Sequence, residues 1–191
     1  MMMMNDCDLN NVNVSSNERI LQLSLHGEGI NCAYCEIEDI VKTTVNEHEF
    51  CSLHINIHSL PAKFDQLKNI LARLRDLNIL VDFVLLCETF LTESNKDLYQ
   101  MPGYKMFSLN RTSKSKGGVV VYVHEKYSTV ERSDLCVDFE GEFESLLVEI
   151  QFTNLKGNIV VGEVYRVPGT NEQLSIQRYE QFLGNIERAK F

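Results

Sequence analysis

Phe50-Cys51-Ser52-Leu53-His54-Ile55-Asn56-Ile57 alternates apolar with polar side chains, the pattern of a strand with one buried face. Pro61 then stands where a first helical turn accepts it. Phe64, Leu67, Leu71 and Leu74 recur at three- and four-residue steps, which predicts an amphipathic helix over about 61–78. Val81-Asp82-Phe83-Val84-Leu85-Leu86-Cys87 is nearly all apolar, as in a strand covered on both faces, and it ends abruptly at Glu88. The unit is strand, helix, strand. A right-handed crossover makes its two strands parallel and sets their C-terminal ends at one edge of a sheet.

The pattern continues outward from that unit. Pro102-Gly103 marks a turn into a strand over 104–109, 111–116 reads as a loop, and Gly117-Gly118 opens the β-branched run Val119-Val120-Val121-Tyr122-Val123. Strands over 143–152 and 158–165 are joined by Asn154-Leu155-Lys156-Gly157, a hairpin signal. Ile176, Tyr179, Phe182, Leu183 and Ile186 return to helical spacing over about 174–190. The order β-α-β-β-β-β-β-α predicts an α/β fold, a layered sandwich of mixed sheet with helices packed on it. Upstream, residues 1–30 are Asn-rich and are expected to be disordered. Within them Leu21, Leu23 and Leu25 alternate as a short strand would, with Gly27 and Gly29 stopping it. Residues 31–49 form a leader segment, and 50–191 read as one domain.

Composition agrees with this and excludes several classes. The chain has 191 residues, 44% of them hydrophobic, with Gly 10, Pro 3 and Cys 6, so it is neither collagen-like nor a disulfide scaffold. No apolar run approaches the roughly 20 residues of a membrane helix, and the start has neither the basic nor the apolar part of a secretory signal. A soluble intracellular protein is expected, in nucleus or cytoplasm, with no membrane partner. Cys51 and Cys87 fall in strand-like runs and read as reduced structural thiols, with no disulfide-linked partner.

The formal charge of −9 argues against phosphate binding until its distribution is followed. Residues 1–50 hold 9 acids and 2 bases, so the remainder is nearly balanced. Between 105 and 126, Lys105, Arg111, Lys114, Lys116 and Lys126 face only Glu125. That stretch is a basic patch: a solvated loop, or a face for an anionic partner.

Chemistry is expected first at the strand ends. Asn56 and Glu88 each close an apolar strand, at the edge where open α/β sheets bind ligands. A carboxylate beside a carboxamide offers the hard oxygens that Mg²⁺ selects, whereas the plainer alternative has both merely capping nearby loops. A second metal pattern, Cys32-x₂-Cys35-x₁₂-His48-x₅-His54, fits a zinc finger by count. It fits poorly otherwise: Val45 supplies the apolar residue before the first His, but Asp39 stands where an aromatic is wanted. His54 also falls on a strand instead of a recognition helix.

Five segments together carry a resemblance. Ser52-Leu53-His54-Ile55-Asn56-Ile57-His58-Ser59-Leu60 is followed by Phe83-Val84-Leu85-Leu86-Cys87-Glu88-Thr89-Phe90-Leu91. Met101-Pro102-Gly103-Tyr104, then Arg111 with Gly117-Gly118-Val119-Val120-Val121-Tyr122-Val123, and then Val164-Tyr165-Arg166-Val167-Pro168 complete the series. In that order they resemble the endonuclease domain of non-LTR retrotransposons (jockey-like and related elements), of the endonuclease/exonuclease/phosphatase superfamily. The resemblance implies a deoxyribonuclease I-like four-layer sandwich that nicks DNA with Mg²⁺. It implies Asn56 and Glu88 as metal ligands and catalytic residues, and Tyr165 as a catalytic residue that approaches the scissile phosphate. Arg111 and Arg166 are candidates for DNA phosphate contacts, since a guanidinium pairs bidentately with phosphate, or else they are ordinary salt-bridged arginines.

The departures bear on activity. The family has a later Gly-Asp-Phe-Asn motif and a Ser-Asp-His type ending, yet no Asp or His follows Tyr165 here, and Gly169 stands where relatives often place Asn. The expectation is an N-terminal portion of such a domain, inactive alone. The alternative is a non-catalytic remnant or a domesticated binding module with the same half-fold.

Overall fold

The computed structural model describes residues 50–112, 116–139, 141–152 and 157–189, together with the backbone of 2–4, 19–25 and 30–36. In chain order its elements begin with strands β1 (Met2–Met4), β2 (Arg19–Leu25), β3 (Ile30–Glu36) and β4 (Ser52–Asn56), then helix α1 (Leu60–Asp76) and strand β5 (Phe83–Cys87). A 3₁₀ turn at Lys96–Tyr99 precedes β6 (Tyr104–Leu109), β7 (Val119–His124), β8 (Ser128–Glu131) and β9 (Asp138–Phe139). Strands β10 (Phe143–Gln151) and β11 (Ile159–Arg166) and helix α2 (Glu172–Arg188) follow. The fold is mixed α/β with two sheets. One has the order β3-β2-β1-β4-β5-β7-β6; the other runs β11-β10-β8, with β9 also on β10.

The central unit forms as the crossover rule requires: β4 and β5 are parallel neighbours, with Asn56 opposite Cys87. Alternation then assigns each face of the first sheet. Leu53, Ile55, Val84, Leu86, Val120 and Tyr122 pack against Leu67, Ile70, Leu71 and Leu74 of α1. The opposite row, Phe83, Leu85, Cys87, Val119, Val121 and Val123, packs on Leu146, Val148 and Ile150 of the second sheet. A third, smaller seam joins Leu147 and Phe143 of β10 to Phe182 of α2. Strand β5, between two such seams, is buried at every position, which is why its sequence lacks alternation.

Several elements carried no sequence signal. Strand β9 has two residues and β8 four, too short for periodicity to register. The short strand expected at Leu21, Leu23 and Leu25 is β2 (Arg19–Leu25), and Met2–Met4 is a further strand within the segment expected to be disordered. Met2–Met4 is an apolar run free of Asn that pairs in parallel with β4 and antiparallel with β2. The rest of 1–30 lies outside the described residues, as do the hairpin residues 153–156, although β10 and β11 pair antiparallel as that hairpin predicts. Among the described residues no helix is long and apolar enough to cross a membrane. Cys51, Cys87 and Cys136 are free of disulfides.

Candidate active site at the ends of strands β4 and β5

Asn56 is the last residue of β4, and Glu88 follows the last residue of β5. Because the strands are parallel and in register, both side chains leave the sheet at the same edge. Asn56 Nδ2 donates to Glu88 Oε1 at 2.9 Å. From the second sheet, across the seam, the Tyr165 hydroxyl donates to the same oxygen at 2.7 Å. The His58 ring closes the other side, its Nδ1 2.7 Å from Glu88 Oε2; the carboxylate accepts, so Nδ1 carries the proton. The sequence reading brought Asn56, Glu88 and Tyr165 to one site, and they meet there. It missed His58, although the approach was readable: His58 lies two residues past Asn56, on the turn leaving β4.

Burial pushes the Glu88 carboxyl up, but hydrogen bonds from Tyr165, His58 and Asn56 outweigh it and hold it below the usual glutamate value. Glu88 is thus an ionised carboxylate at neutral pH. Burial, with the Glu88 carboxylate beside it, pushes the Tyr165 phenol well up, so Tyr165 keeps its proton. Asn56 Oδ1 is buried and has no hydrogen-bond partner among the described residues. A buried amide oxygen left open costs about 1–3 kcal/mol, and here it adjoins an ionised carboxylate. Two hard oxygens, one of them unsatisfied, suit a divalent cation of the Mg²⁺ type.

The backbone around this cluster is strained. His58, Ser59, Glu88 and Phe90 all have positive φ, at 44°, 92°, 54° and 56°. Such conformations cost of order 1–3 kcal/mol each outside glycine and persist only where their surroundings over-determine them. Here Ser59 N donates to the Glu88 carbonyl at 2.8 Å, Leu60 N to the Thr89 carbonyl at 2.9 Å, and Phe90 N to the Gly117 carbonyl at 2.8 Å. These bonds lock the turn after β4 to the turn after β5, and both to Gly117-Gly118.

The two arginines sit elsewhere. The Arg111 guanidinium is turned inward: Nε donates to Glu144 Oε1 and Nη1 to the Lys116 carbonyl, while Gly118 N donates to Glu144 Oε2 at 2.9 Å. The Arg111 and Glu144 side chains are only 8% and 1% exposed, and the guanidinium fills the space a Cβ on Gly117 would need. Arg111 lies near enough to lower the Tyr165 phenol slightly, yet its Nε and Nη1 are committed to the fold, while Nη2 is buried with no hydrogen-bond partner among the described residues. Arg166 neighbours Tyr165 in β11 and so projects to the other face. There it lines a groove of about 660 Å³ with Val164, Ile176 and Tyr179. In the basic stretch, Lys105 binds the Tyr127 carbonyl, Lys126 pairs with Asp82 and Lys116 is exposed, while Lys114 lies outside the described residues. Cys32, Cys35 and His48 of the finger-like pattern have no described side chains; His54 lies on β4, bonded to Glu163.

No family model matches the chain, and no curated protein matches it.

Proposed function

We propose that Asn56, Glu88 and Tyr165 form the site of an Mg²⁺-dependent phosphodiester-cleaving domain that acts on DNA, on a four-layer sandwich of the deoxyribonuclease I type. The observation that carries this reading is the unsatisfied Asn56 Oδ1 beside an ionised Glu88 at the shared edge of two parallel strands. Asn56 and Glu88 would hold the cation. Bound there, Mg²⁺ would neutralise charge on the scissile phosphate and stabilise the leaving oxygen. The other steps belong to the chain. Tyr165, kept protonated, has a single O–H that is donated to Glu88 Oε1 and would turn to a phosphate oxygen when substrate binds, and His58 fixes the Glu88 carboxylate so that one edge stays turned to the Asn56 amide. Arg166, exposed on the outer side of the β11 end, is the arginine assigned to a DNA phosphate away from the scissile bond. Arg111 belongs to the fold.

A second reading is a non-catalytic binding module on the same fold: the hydrogen-bonded cluster of Asn56, His58, Glu88 and Tyr165 holds no second carboxylate to orient a water nucleophile. Mn²⁺ binding followed by electron paramagnetic resonance, with supercoiled-plasmid nicking alongside, tests both. The active-site reading expects one Mn²⁺ per chain, weakened at least tenfold in Glu88→Gln and Asn56→Ala, and metal-dependent nicking absent from Glu88→Gln. Metal binding without nicking would select the second reading. Mn²⁺ binding indifferent to both substitutions would refute the site.

A further inference from the structure

Below the Glu88 cluster, in the seam between the sheets, lies a second group of ligating side chains. The inward-facing row of β11 reads Ile159, Val161, Glu163, Tyr165, so Glu163 is a lone carboxylate among apolar and aromatic neighbours, and its side chain is 3% exposed. Opposite it, His54 Nε2 of β4 stands 2.9 Å from Glu163 Oε1. The buried thiol of Cys87, at the end of β5, completes the group; His54, Cys87 and Glu163 each offer a ligand atom, all within 4.8 Å of one another. One contact to an imidazole uses one of about four acceptor positions on a carboxylate, and a buried carboxylate is costly unless a cation compensates it.

We propose that His54, Cys87 and Glu163 form a transition-metal site, of Zn²⁺ type, that clips the two sheets together. The donor set decides the metal. Imidazole, thiolate and carboxylate together are borderline-soft and favour Zn²⁺ or Co²⁺ over Mg²⁺, whereas the all-oxygen pair above does the reverse. Ligand atoms around tetrahedral zinc stand about 3.3–3.8 Å apart, so the His54–Glu163 pair, at 2.9 Å, opens slightly on binding while the distances to Cys87, within 4.8 Å, close. Three protein ligands leave a fourth corner for water. The His54 side chain, 23% exposed, marks the way in from solvent. On binding, Cys87 coordinates as the thiolate and its proton passes to solvent. Because the ligands come from β4, β5 and β11, the ion ties strands that are otherwise held across the seam by apolar packing and by the His54–Glu163 and Tyr165–Glu88 hydrogen bonds.

Titrating the purified full chain with Co²⁺, then displacing it with Zn²⁺, tests the assignment. Expected are one Co²⁺ per chain with tetrahedral visible bands and a sulfur-to-cobalt charge-transfer band, and a higher melting temperature with Zn²⁺. Cys87→Ser should lose the charge-transfer band. Both Cys87→Ser and Glu163→Gln should weaken Zn²⁺ by more than the roughly 10–100-fold that loss of an outer-shell partner costs. Cys32→Ser, Cys35→Ser and Glu88→Gln should leave it intact. Circular dichroism of the metal-free variants checks that they fold, and the wild-type cobalt spectrum decides the matter if one does not. Absence of stoichiometric binding, a cobalt spectrum without thiolate character, or dependence on Cys32 or Cys35 in place of Cys87 would each overturn the proposal. Because Glu88→Gln is expected to keep this site, its failure and the failure of the Mg²⁺ reading are separable.

Discussion

Replacing Arg111 by Met isolates what that arginine does. In the native fold Glu144 is almost wholly buried, and its two oxygens are satisfied by Arg111 Nε and by Gly118 N–H. The Met side chain fills similar volume but leaves the carboxylate with one neutral donor in a desolvated site. Removing one partner of a buried ion pair costs about 3–5 kcal/mol, because the remaining charge is uncompensated. The Lys116 carbonyl loses its partner as well. For a chain of this size each kcal/mol lowers the melting temperature by roughly 2–4 °C, so a drop of about 10 °C is expected by calorimetry. The double variant Arg111→Met/Glu144→Gln removes the stranded charge while the amide oxygen still accepts from Gly118. It should recover about 2 kcal/mol, a non-additivity typical of groups sharing one network. A single variant within 1 kcal/mol of wild type, or a double variant no better than the single, would refute this account. Arg111 would then be free to leave Glu144, and a phosphate contact would become available to it.

Two other perturbations probe the frame of the site. Gly118→Ala should cost about 2 kcal/mol, since φ is +82° and the new Cβ would lie 3.0 Å from Thr89 Oγ1 and 3.1 Å from the Leu109 carbonyl oxygen. Gly103→Ala, with φ +85° but nothing within 4 Å, should cost less, and equal urea midpoints for the two would show that the crowding is unimportant. Tyr104 donates to the Val81 carbonyl at 2.7 Å, and burial pushes its phenol up to about 12, so the folded state favours the neutral form. Its contribution is therefore complete below pH ~10, where an unfolded tyrosine titrates, and is lost as pH rises towards 12. Tyr104→Phe should cost about 1 kcal/mol at neutral pH and flatten the fall in melting temperature between pH 10 and 12; an unchanged slope there would rule Tyr104 out as its source.

The fold was legible where the chain is periodic over several residues. Strands β4, β5, β6, β7, β10 and β11 and helices α1 and α2 lie within about two residues of their expected bounds, because each buries a face whose period is written in its side chains. Strand β5 could be read as covered on both faces because it has no polar row. What was not legible lacked such a face. Ser128–Glu131 and Asp138–Phe139 are edge pieces whose existence depends on β10 offering free backbone groups, a fact of tertiary structure. The pairing of Met2–Met4 with β4 is of the same kind.

At the site the same division holds, with one instructive exception. Asn56 and Glu88 could be placed together because the crossover rule converts sequence order into a shared sheet edge. Tyr165 could be placed there only through the resemblance, since no local pattern says that β11 faces β5 across the seam. The burial of Arg111 required knowing that Glu144, 33 residues away, lies beneath it as its ion-pair partner. Arg166 needed none of that knowledge. Consecutive residues of a regular strand point to opposite faces, so Tyr165 and Arg166 cannot both reach one point in the seam. The alternation that exposed Arg166 on the α2 side also turned Glu163 inward with Tyr165, next to His54 and Cys87. An inward-facing charge in an otherwise apolar row was therefore the one sequence signal for the second ligand group. Periodicity that helps to find the core also marks, by its violations, where the core has to answer for a charge.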